Sequence, residues 1–506
     1  MSNSRTVSSI KNVGVITFIQ IFGIIITFIS RTVFVNILGN DYLSVQALLL
    51  NLIAILSFTE LGLGNAIIYS LYRPIANGDT KKVKALLNFY AKAYRFVILA
   101  ITVIGIAIIP FLNIIIKDVP DVKENVIFIY LLFLTNTIIS YVFSYKKSLL
   151  IADQKNYIVV LFQQSVLIIQ VILQILFLIH THNFVIFLVI QIFSTLLTNI
   201  STDIYVNKKY KYVSVLKGYE LEKNEKKELF SNIKDIFFYR IGAMLLNSTD
   251  NIIISIMLKT TYVGLSANYV LVINGVNSVL MQACNGIAAS IGNHNVEASN
   301  KRKEEVFEQL YLIAFWIFGI SSICLAIFLN PMIELWLGFD NKLDTTIVIA
   351  LVLSFYFTGI NQIPSLYRTS IGLFKQAKYT PIVASVINII LSVILGKSFG
   401  LAGVFFATSI AKILTFCIVD PVLIYKKGFD MNYMKYFKKF LMYFMLIVFT
   451  YFALNILISY ISLSGIIGFT IKLFICLISI NVIFVISLYQ TRSFQGILFR
   501  FKIKRK

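Results

Sequence analysis

A few ionisable side chains stand deep inside stretches that are otherwise hydrocarbon: Arg31, Glu60, Arg240, Asp250, Lys412 and Lys472. A charge at bilayer depth is costly and marks a functional site by default. Arg31, Arg240 and Lys412 would give a cavity a positive interior, which suits a phosphate-bearing substrate. The carboxylates Asp250 and Glu60 are candidates for a gate or for ion coupling. Lys472 reads as an outer-end anchor. Lys92, Arg95, Asp203, Lys234, Asp235, Glu308 and Asp420 lie nearer span ends and are expected to snorkel or stay wet.

Other chemistry is missing from the pattern. The triplet Gly396-Lys397-Ser398 has Leu391 where a P-loop needs glycine, so no nucleotide cradle is expected. His180 and His182 flank Thr181 with no third ligand nearby, and no metal-ligand spacing appears. The cysteines Cys284, Cys324, Cys417 and Cys476 all fall in apolar runs and read as buried hydrophobes. No nucleophile constellation and no cofactor are expected.

The elements that must hold the buried charges are membrane helices. Of 506 residues 58% are hydrophobic and only 13% charged. Soluble chains carry about 25% charged residues, so a soluble enzyme is excluded. About fourteen apolar runs are long enough to cross a bilayer. Pro364 falls near the inner end of the tenth and is a candidate kink. With the N-terminus placed in the cytoplasm, 33 Lys and Arg fall in inner segments and 5 in outer ones. That asymmetry predicts both termini inside and an even number of spans. The net charge of +22 is then a topology signal facing anionic lipid headgroups, not a nucleic-acid footprint.

A shift of 220 residues aligns Leu38 with Leu258, Tyr42 with Tyr262, Ala47 with Ala267 and Lys81-Lys82 with Lys301-Arg302. Repeats of this kind build transporters. The reading is an all-α integral membrane protein with two pseudo-symmetric six-helix lobes around a central cavity. Residues 1–206 form the first lobe, 207–230 a cytoplasmic linker and 231–425 the second lobe. Two further helices and a basic tail fill 426–506. Under the shift Arg31 and Asp250 fall one residue from equivalence, and a pair between them would close the outer side of the cavity.

Several stretches carry a resemblance. They are Ser30-Arg31-Thr32 running to Leu38-Gly39 and Tyr42, the run Glu60 to Ile67, Leu86 to Tyr90, and Thr249 to Ser255. On these the chain resembles bacterial polysaccharide flippases of the multidrug/oligosaccharidyl-lipid/polysaccharide exporter superfamily. The resemblance implies two lobes around a V-shaped cavity, alternating access, and no catalysis. It implies an undecaprenyl-diphosphate-linked oligosaccharide as substrate, moved from inner to outer leaflet, with Arg31 contributing to the cavity. Na+ or H+ coupling and polysaccharide assembly proteins are further implied partners. Lipid II flippases share the two extra helices, but a first-span arginine followed by an acid would strengthen that variant, and here Thr32 follows. A multidrug antiporter would want acidic cavity residues and twelve spans. A membrane polymerase would need a large outer loop.

Overall fold

The computed structural model describes residues 2–60, 63–116, 121–214, 218–297, 299–373 and 375–503. Leu61, Gly62 and the side chains of Lys234, Asp235 and His294 lie outside the described residues. Within them all regular structure is helical, as a bilayer demands of a chain that must satisfy its own backbone. Ten helices are long and apolar enough to cross a membrane, or eleven when the bent pair Val126–Tyr141 and Ser144–Ala152 counts as one span. The protein is a multi-pass membrane protein.

Two of those ten are broken inside by a glycine. The continuous stretch Thr380–Phe429 has 50 residues; as one straight helix it would extend about 75 Å, over twice the hydrocarbon core. The chain turns at Gly400, where φ is +59°. Asn388 Nδ2 donates to Thr408 Oγ1 at 2.9 Å across this turn, so its two arms run back along each other. Residues 23–56 are broken in the same way at Gly39, where φ is +83°. A side chain with a Cβ is strained at such φ values, which is why glycine holds both corners.

The chain divides into two compact units, Met1–Gly264 and Leu265–Lys506. The first holds α1 (Ser2–Leu56), α2 (Leu63–Ala76), α3 (Thr80–Ile108), α4 (Leu112–Ile115), α5 (Val126–Tyr141), α6 (Ser144–Ala152), α7 (Asn156–Thr181), α8 (Phe184–Lys209), α9 (Lys223–Met257) and the start of α10 (Thr260–Glu297). The division falls one helix later than the 207–230 linker. A repeat in the sequence reports chain order, whereas α9 packs along α1 and joins the unit of its neighbour.

Side-chain oxygens start the helices. Asp79 accepts from Lys82 N at the head of α3, and Asn183 from Val185 N and Ile186 N at the head of α8. Polar threads then tie apolar faces together. Gln174 on α7 donates to Phe187 O on α8 at 2.9 Å, and Asn199 on α8 to Ile139 O on α5 at 2.8 Å. Phe34 of α1 packs edge-on to Phe184 and Phe187.

The second unit continues α10 and adds α11 (Asn300–Leu337), α12 (Thr345–Ile360), α13 (Gln362–Ser370), α14 (Thr380–Leu414), α15 (Phe416–Leu423), α16 (Met434–Ser459), α17 (Gly465–Leu488) and α18 (Arg492–Ile503). Pro364 has no N–H for the Ile360 carbonyl, and the helix breaks there between α12 and α13. Phe307, Tyr311 and Phe315 of α11 form an aromatic spine. Tyr436 and Tyr443 of α16 and Phe484 of α17 stack against it. Trp316 Nε1 donates to Asn481 Oδ1 at 3.0 Å, a second tie from α11 to α17.

Candidate functional site

The first unit gathers a polar cluster where α1 ends. Glu60 closes the short 3₁₀ turn Ser57–Glu60 and is half-buried. Tyr94 of α3 donates its hydroxyl to Glu60 Oε1 at 3.1 Å. Tyr141 of α5 stands beside Tyr94, ring centroids 6.2 Å apart. Arg240, exposed on α9, lies within electrostatic reach of the same carboxylate. Gly64 makes room for it, since a Cβ there would sit 3.3 Å from Glu60 Oε1. One carboxylate, a hydroxyl donor and a nearby guanidinium make a polar cluster in the first unit.

A second level holds Arg31 and Asp250. Ser44, just past the Gly39 corner, donates to Thr261 O at 3.4 Å. A Cβ on Gly264 would fall 2.1 Å from Ser44 Oγ, so the two helical corners touch. Arg31 and Asp250 each sit eight residues before their corner, or about 12 Å along the axis. Each stands the same distance along its own helix from its corner. Arg31 Nη1 is buried without a hydrogen-bond partner among the described residues. Asp250 and Arg240 are ten residues apart on α9, so the two levels are separated by about 15 Å.

Lys412, in the second unit, donates to Ser354 Oγ and Thr358 Oγ1, both at 2.8 Å. These hydroxyls on α12 hold the ammonium between α12 and α14. Lys472 lines a groove near Glu334, Leu335 and Gly465.

Asp420 departs from the expectation of a wet span end. It is 1% exposed, paired with Arg368 Nε at 2.7 Å and accepting from Asn361 Nδ2 at 3.0 Å. Both partners are fully buried, so water is excluded there. Asp203 and Glu308 are also engaged, with Lys146 and with Lys439 respectively. Among the described residues no cluster of metal ligands exists.

No family model matches the sequence, and no curated protein matches it. Solved structures do resemble the fold. One is the lipid II flippase MurJ in an inward closed conformation, with TM-score 0.64 and 18% identity over 93% of this chain and 98% of that one. Another is an inward-facing multidrug resistance MATE family transporter of the MOP superfamily, with TM-score 0.62 and 13% identity over 79% and 92%. A mutant of the Vibrio cholerae MATE transporter VcmN gives 0.57 and 14% over 85% and 99%. The chain shares the fold of these structures. Arg31, Glu60, Arg240 and Asp250 lie in the first unit, and Lys412 and Lys472 in the second. Tyr94 went unmarked in the sequence because tyrosine disappears into an apolar count.

Proposed function

We propose that the protein is a flippase for undecaprenyl-diphosphate-linked oligosaccharide, moving repeat units from the inner to the outer leaflet by alternating access. The observation that carries this reading is Arg31. Arg31 is half-buried in an apolar span, and its Nη1 has no hydrogen-bond partner among the described residues; that is costly, and an anionic substrate group would offset the cost. A sugar-diphosphate head cannot cross hydrocarbon unaided, whereas its prenyl tail can stay in lipid.

The resemblance to a lipid II flippase over nearly the whole of both chains supports a lipid-linked substrate. The multidrug structures leave more of this chain uncovered. A diphosphate carries about two negative charges, and each gains about 2.3 kcal/mol per 100 mV on leaving an inside-negative cell. Glu60, with Tyr94 as donor, is the group through which Na+ or H+ would add to that drive. Both termini lie in the cytoplasm, and surface-polysaccharide assembly consumes the product.

The test is deletion of the gene followed by analysis of inner-leaflet lipids. Build-up of a lipid-linked oligosaccharide with several sugars supports the reading. Build-up of lipid II favours the lipid II variant. Unchanged lipid pools with lost drug efflux favour an antiporter.

A further inference from the structure

The 218–226 segment does not hang free of the first unit. Lys82 pairs with Glu225, and Asn88 Nδ2 donates to Tyr219 O at 2.8 Å. Between this segment, α3 and α9 lies a groove of about 580 Å³. Its walls are apolar, with Leu63, Phe89, Phe96, Val97, Leu221 and Phe237. At its rim Lys92 and Lys226 converge on one carboxylate, Glu220, at 2.9 and 3.6 Å. Glu220 is exposed, so a competing anion can reach both ammonium groups.

The groove also has a direction. Below Lys92 on the same face of α3 come Phe96, Leu99, Val103 and Ile106, between 54% and 71% exposed. Their spacing follows the helical repeat. In a membrane protein this stripe faces acyl chains, and Lys92 caps it at the point where charge begins.

We propose that the groove binds an anionic phospholipid, its phosphate on Lys92 and Lys226 in place of Glu220 and its acyl chain along the Phe96–Ile106 stripe. Two ammonium groups above an open apolar track match such a lipid in charge and in shape. A free phosphate would leave the track empty. Binding by displacement of Glu220 also loosens the 218–226 segment from α3. The proposal stands whether or not the proposed substrate is right.

The test is photo-cross-linking of purified full-length protein in phosphatidylcholine vesicles carrying a photoreactive phosphatidylglycerol. Labelling is expected on the 85–97 and 218–226 peptides. Lys92→Ala with Lys226→Ala lowers it at least about fivefold, the effect of losing one surface lysine. Glu220→Gln raises it. Should the lysine variant fail to fold, the Glu220→Gln arm stands by itself. Equal labelling by a phosphatidylcholine analogue, full competition by inorganic phosphate, or no change in Glu220→Gln would each overturn the proposal.

Discussion

Tyr94 donates its hydroxyl to Glu60 across 3.1 Å, joining α3 to the turn that ends α1. A carboxylate with one fixed donor is poised between two states, protonated or cation-bound and free. Tyr94→Phe should keep the fold and weaken the charged state of Glu60. Hydrogen bonds to charged groups contribute about 1.5–3 kcal/mol, so flux should drop about tenfold or more, and its dependence on Na+ or pH should shift. Flux measured against both ions in the variant checks this; an unchanged ion dependence removes Glu60 from coupling.

Arg31 should show a trade between stability and binding. Arg31→Ala removes a half-buried guanidinium whose buried Nη1 has no partner among the described residues, so the empty protein should gain about 1–3 kcal/mol. Substrate affinity should fall at the same time. Thermal unfolding with and without lipid-linked substrate separates the two effects. A variant that is less stable yet binds normally would make Arg31 a structural residue.

The Arg368–Asp420 pair should behave as a structural unit. Both side chains are at most 2% exposed. Arg368→Met alone leaves a buried carboxylate and should cost about 3–5 kcal/mol. Arg368→Met with Asp420→Leu should recover most of that loss. Unfolding midpoints of the single and double variants decide it, and additive losses would contradict the pairing.

The fold class was legible because hydropathy and the Lys/Arg asymmetry are properties of chain order. The corners at Gly39 and Gly400 were legible as breaks between apolar runs. Arg31, Glu60 and Asp250 stood out because a charge in a hydrocarbon stretch is conspicuous. Their grouping was not legible. Arg240 comes within electrostatic reach of Glu60 because α9 packs beside α1 and α2, an arrangement between helices far apart in sequence. Arg368 lay hidden for the opposite reason. The Gln362–Ser370 stretch is polar enough to pass for a loop, and only the aromatic side chains around it make it core.

The clamp on the 218–226 segment should respond to acid. Hydrogen bonding to Lys92, with Lys226 nearby, holds Glu220 below the usual glutamate range, and the bond from Lys82 does the same for Glu225. Carboxylates depressed in this way contribute their full stability above the usual glutamate pKa and lose it as pH falls through their lowered values. A spin label at Lys223→Cys should therefore stay ordered at neutral pH and loosen only in acid. Glu220→Gln with Glu225→Gln should be loose throughout. Loosening that begins near neutral pH would contradict the assignment.

The most direct measurement is lipid translocation itself. Purified protein is reconstituted in vesicles with a fluorescent undecaprenyl-diphosphate oligosaccharide, and movement between leaflets is followed with and without an imposed potential. Transfer toward the positive side is expected, accelerated by the potential and lost in Arg31→Ala. Transfer that ignores the potential and survives Arg31→Ala would contradict it.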